Sequence, residues 1–111
     1  MELYLEAEKI NKQLDQALST LRENGIKYCE AERVYQMAKS KAILKLKSEG
    51  YPVTLIPSIV KGLDEIAELD FNRNVCEVVY KANMEALLIK KLQLKVKENE
   101  IERMYNDARN D

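Results

Sequence analysis

Residues 50 to 63 read Gly50-Tyr51-Pro52-Val53-Thr54-Leu55-Ile56-Pro57-Ser58-Ile59-Val60-Lys61-Gly62-Leu63, and both prolines and two of the three glycines of the chain fall here. Pro52 fixes its own φ and pushes Tyr51 out of the helical region, so a helix arriving from the N-terminal side stops near Glu49 or Gly50. Thr54 is then placed to cap a short helix through Ser58 to Lys61, with Pro57 in a first turn that does not need its missing N–H. Gly62 closes that turn, and Asp64 is the expected cap of the next long helix.

Everything on either side reads as helix. Upstream, Leu3, Ala7, Ile10, Leu14, Ala17 and Leu21 step by four and three, the repeat of a coiled-coil seam. Asn24-Gly25 interrupts this run, yet the seam resumes in phase at Tyr28, Ala31, Tyr35, Ala38 and Ala42. The phase favours one continuous helix with a weak point, at a glycine penalty of ~1 kcal/mol, over the alternative of a break into two helices at Asn24-Gly25. Downstream, Ile66, Leu69, Cys76, Tyr80, Met84, Leu87, Leu94, Ile101 and Tyr105 form one stripe, with Lys91 and Glu98 on seam positions. A second apolar stripe, Val75, Val79, Ala82, Ala86, Ile89, Leu92 and Val96, lies about one position round the helix. A face that wide needs more than one partner helix.

The expected fold is all-α: a single domain over residues 1–111, with a first arm at about 2–49, a tip at 50–63 and a second arm at about 64–107, the arms forming a long antiparallel hairpin. Two helices alone bury little per residue, so self-association is expected through Val75, Val79, Ala82, Ala86, Ile89 and Val96, a dimer making a four-helix bundle being the favoured form. Residues 106–111 carry no apolar anchor beyond Ala108 and are expected to fray.

Charge is distributed in blocks beneath a formal net charge of -1. Residues 39–61 hold five bases and one acid, 62–79 one base and five acids, and 80–97 five bases and one acid. A chain folded back at the tip sets blocks of opposite sign beside one another. Cys29 and Cys76 are expected at different levels of the hairpin, on the order of 10 Å apart by helical rise, as buried free thiols. No run is long and apolar enough to cross a bilayer, and the acidic start does not read as a signal peptide, so a cytoplasmic location without membrane contact is the default.

The chain has no histidine, which removes imidazole-based acid–base catalysis, catalytic triads and imidazole metal sites. No glycine-rich phosphate loop exists, and the carboxylate pairs Glu2/Glu6 and Glu98/Glu102 read as solvated faces. Neither an enzyme nor a cofactor is expected. Two surfaces remain. The tip residues Tyr51, Val53, Leu55, Ile56, Ile59 and Val60 exceed what a reversal of the chain requires; they either plug the end of the bundle or hold a protein partner. Lys39, Lys41, Lys45 and Lys47 either form a solvated, internally paired face or contact nucleic-acid phosphates.

The pattern Gly50-Tyr51-Pro52-Val53-Thr54-Leu55-Ile56, then Lys61-Gly62, Ala67-Glu68-Leu69, Glu77, Tyr80 and Ala86, resembles small helical proteins encoded by phages and prophages of Gram-positive bacteria. That family has no assigned catalytic activity. The resemblance implies an accessory gene product working in the bacterial cytoplasm by protein–protein interaction, or one associated with nucleic acid in phage replication or recombination. The acidic end Met104-Tyr105-Asn106-Asp107 departs from the aromatic-basic helix on which such proteins tend to finish.

Overall fold

The two arms are rich in strong helix formers, and Pro and Gly are concentrated between them, so helix is the only regular structure either arm favours. A computed structural model describes residues 1–110, and of Asn110 the backbone alone. It contains α1 (Glu2–Ser48), α2 (Ile56–Gly62) and α3 (Asp64–Asn110), with no strand among the described residues. The fold is all-α, two long helices joined in a hairpin through a short helical tip. Helix α3 continues beyond the expected end at 107, through polar residues that neither anchor it nor stop it; Asp111, the last residue of the expected fray, lies outside the described residues.

By backbone packing the chain divides into a tip unit, Asn24–Tyr80, and a terminal unit, Met1–Glu23 together with the chain from Lys81 onward. In the tip unit, Tyr35, Leu46, Ile56, Val60 and Ile66 form one buried cluster, flanked by Ala38, Ala42, Ile43, Ile59 and Leu69. Ala31 is buried beside the same seam, so small residues alternate with large rings along α1. Arg73 lies over Tyr35, its guanidinium carbon 4.5 Å from the ring centroid, and bonds Glu32 of α1 at 3.1 Å and Asp70 at 2.6 Å. These carboxylates, Asp70 first, hold the guanidinium firmly protonated.

Helix α1 passes Asn24-Gly25 without a break. A Cβ at Gly25 would come within 3.1 Å of Tyr80 Cε2, so the residue of poorest helix propensity here is also the one that admits the ring. Tyr80 stacks in turn on Tyr28, with centroids 6.0 Å apart and planes tilted by 35°. Burial, and then the nearby Glu77 carboxylate, push the Tyr28 phenol above its usual range.

In the terminal unit only Leu14 and Leu87 are buried among the described residues. Its helices are linked by polar bonds, Lys90 Nζ to Gln13 Oε1 at 2.9 Å and Lys97 Nζ to Glu6 Oε2 at 2.8 Å. The charged residues on the α3 seam are therefore Lys90 and Lys97, and the expected Lys91 and Glu98 are exposed. The inward row runs through Arg73, Cys76, Tyr80, Asn83, Leu87, Lys90, Leu94, Lys97 and Ile101, which leaves Met84 and Tyr105 outside. Because four positions of this row are polar, an apolar pattern drifts from it by one residue.

Pairing of Glu32 with Arg73 and of Gly25 with Tyr80 sets the register in the tip unit. Stepping between those pairs brings Cys29 and Cys76 to one level, not to separate levels as expected from a hinge centred further along the tip. Both cysteines are free, and Cys29 is exposed, not buried.

Candidate functional site

The tip begins with a helix stop built from backbone geometry. Gly50 adopts φ +84°, and the N–H groups of Gly50 and Tyr51 donate to the carbonyls of Lys47 (3.1 Å) and Leu46 (3.2 Å), the paired bonds of a Schellman motif. This stop lies where the glycine and proline placed it. The start of α2 departs from expectation: Leu55, not Thr54, is the cap residue, and no side chain caps the helix. The Pro52 carbonyl instead accepts from the N–H groups of Leu55 (3.0 Å) and Ile56 (3.3 Å), so a backbone turn satisfies donors that the threonine hydroxyl would have served. Leu63, extended at φ −69° and ψ 130°, separates α2 from α3, and its carbonyl accepts the first bond of α3 from Ala67 at 2.9 Å; Asp64 is the first helical residue rather than the cap.

Helix α2 divides the six apolar tip residues between two jobs. Ile56 and Val60, one turn apart, are 2% and 1% exposed and pack on Tyr35, Leu46 and Ile66. They are the plug, and their expected place on a partner-binding surface is corrected accordingly. A ridge one helical turn long is the least that seals this end of the seam, and these two branched side chains supply it. Tyr51, Val53 and Leu55 remain exposed, Val53 at 71%, while Ile59 is half-buried.

Beside them opens a cleft of about 560 Å³ within the tip unit. Its apolar lining includes Ala38, Ala42 and Leu46 of α1, Ile59 of α2, and Tyr51, Leu63 and Ile66. Lys41, Lys45 and Glu49 from α1 and Asp64 and Glu65 from α3 add charge of both signs. A concavity of this size, with an apolar floor and charges of both signs around it, suits a short segment of a protein that carries both apolar and polar groups. No group of three or more Cys, Asp or Glu side chains among the described residues is arranged to hold a metal ion.

The lysine block is not brought together as one strip. Lys41 and Lys45 lie one turn apart and line the cleft beside three acids, whereas Lys47 is about 200° round the helix from Lys45 at ~100° per residue. Lys39 is half-buried, its Nζ 5.8 Å from the Tyr35 centroid. Among the described residues no ion pair joins this block to the acids of α3; a cross-helix pair joins Arg73 to Glu32 instead. The acids nearest the block, Asp64 and Glu65, share the lining of the cleft with Lys41 and Lys45.

The second apolar stripe of α3 faces outward in both units. Val75 and Val79 are each 43% exposed in the tip unit, and Ala82, Ala86, Ile89 and Val96 are exposed in the terminal unit. Sequence reasoning found this stripe because it is uninterrupted by charge. It did not find Asn83 on the inner row, nor Arg73, Lys90 and Lys97, whose polar bonds to Glu32, Gln13 and Glu6 stand in for apolar contacts. No helix among the described residues is long and apolar enough to cross a membrane. Compared with known proteins, the chain matches no family model, no curated protein and no solved structure.

Proposed function

We propose that the chain works by binding: it self-associates through the outward stripe of α3 and offers the tip to a protein partner. The observation that carries this reading is the division of labour in and before α2. Ile56 and Val60 already close the core, so the exposure of Val53, Leu55 and Tyr51, the last of which also lines the cleft, serves no packing need of the chain itself. Large apolar and aromatic groups at the rim of a cleft are the residue types that dominate binding energy in protein interfaces. The resemblance of the tip supplies the setting, a phage or prophage accessory product acting in the bacterial cytoplasm.

The test compares immobilised wild-type chain with a Tyr51→Ser, Val53→Ser, Leu55→Ser variant of unchanged helicity and mass. The wild type should retain a protein from host lysate that the variant loses. Retention equal in both, or none at all, refutes the tip as the binding surface. The alternative, nucleic-acid association through Lys41, Lys45 and Lys47, is supported by their exposure and lack of ion pairs among the described residues. It is opposed by their division between two faces. Binding to DNA at low salt that falls steeply with added salt, and disappears when the three lysines are changed to glutamine, would favour it.

A further inference from the structure

In the terminal unit the inner row of α3 alternates polar Asn83, Lys90 and Lys97 with apolar Leu87, Leu94 and Ile101, while Leu88, Ile89, Leu92 and Val96 are all more than half exposed. The amide nitrogen of Asn83 is buried without a hydrogen-bond partner. On the outer side, Ile89, Leu92 and Val96 line a shallow groove with Ile10 of α1. Two buried leucines and a pair of lysine bonds are a weak basis for holding two helices together in water.

The exposed area indicates how much is missing. A compact monomer of 12.9 kDa exposes about 6,300 Å². This chain exposes 8652 Å², an excess of about 2,300 Å², nearly three times the ~800 Å² that one partner contributes to a standard interface. Ala82, Ala86, Ile89 and Val96 repeat with heptad spacing, a pattern whose complement is another helix carrying the same pattern. A second copy of the chain supplies that helix and, by symmetry, has the same groove to fill.

We propose that a second copy seats on the Ile10–Ile89–Leu92–Val96 groove, α3 against α3 about a twofold axis, and that the helices of the terminal unit stay paired only in that dimer. This rests on the self-association reading and assigns it to the terminal unit, because the tip unit has its own core and the terminal unit does not. The tip is then free for its partner.

The test is hydrogen exchange and sedimentation velocity on the full chain, with an Ile89→Glu, Leu92→Glu variant whose altered side chains are outside the chain's own core. Wild type should sediment as a dimer and the variant as a monomer. In the variant, amides of the terminal unit should exchange about tenfold faster or more, and those of residues 35–66 should not change. A wild-type monomer at all concentrations overturns self-association altogether. A dimer that survives this variant but not Val75→Glu with Val79→Glu overturns the assignment to the terminal unit and leaves self-association standing. A monomeric variant with undiminished terminal protection overturns the dependence of helix pairing on the second copy.

Discussion

Replacing Gly25 by alanine sets two effects of known sign against each other. In a helix interior the change gains about 1 kcal/mol of intrinsic propensity. The new methyl, however, would stand 3.1 Å from Tyr80 Cε2, closer than ordinary carbon contact. Moving the ring aside to make room would disturb its tilted contact with Tyr28, 6.0 Å away between centroids. Overpacking of this kind costs about 1–3 kcal/mol, so Gly25→Ala should destabilise the chain by about 1 kcal/mol net. In a Tyr80→Ala background the obstacle is gone, and the same change should stabilise by about 1 kcal/mol, a coupling of about 2 kcal/mol across the cycle. The assay is urea unfolding followed by helical circular dichroism for the four proteins. Protein concentration must be held constant, since association shifts apparent stability. Stabilisation by Gly25→Ala to the same extent in both backgrounds would refute the argument that the ring requires the glycine.

Ile56→Ala should cost about 2–5 kcal/mol by opening a cavity under α2, whereas Leu55→Ala, one residue away but exposed, should change stability by less than about 0.5 kcal/mol; equal losses in urea unfolding would contradict the plug. Asn83→Leu removes a buried amide nitrogen without a partner and should raise stability by about 1 kcal/mol, and a fall in the unfolding midpoint would show that the amide is satisfied in solution. Bonds from Gln36 and then Arg73 hold the Glu32 carboxyl below its ordinary range. Its contribution is therefore full above the unfolded glutamate value and is lost as pH falls through the lower folded value. The drop in urea midpoint from pH 6 to pH 3 should be smaller in Glu32→Gln, and an unaltered drop would remove this pair from the acid response.

How much could be read in the sequence depended on which physical signal each element carried. The helix stop at Gly50 was legible because a glycine–proline pair admits few alternatives, whereas the four–three repeat favoured a continuous α1 but left a break at Asn24-Gly25 open, which the single helix Glu2–Ser48 settles. The start of α2 was not, because Thr54 offers a hydroxyl cap while the backbone turn that replaces it involves the Pro52 carbonyl, which no side-chain pattern announces. The inner row of α3 was misread by one position at Lys91 and Glu98, because Lys90 and Lys97 lie inward by bonding Gln13 and Glu6. Of the tip residues, sequence alone could not separate Ile56 and Val60 from Tyr51, Val53 and Leu55. That division follows because Ile56 and Val60 lie on the side of a seven-residue helix that meets Tyr35 and Leu46, while Tyr51, Val53 and Leu55 precede that helix.

The central claim is that this chain leaves apolar surface that another copy of itself must cover. Sedimentation equilibrium of the unmodified chain over the widest concentration range that can be loaded tests it most directly. The account predicts a mass of twice the chain, dissociating only on dilution; a single species of one chain mass at every concentration would contradict it.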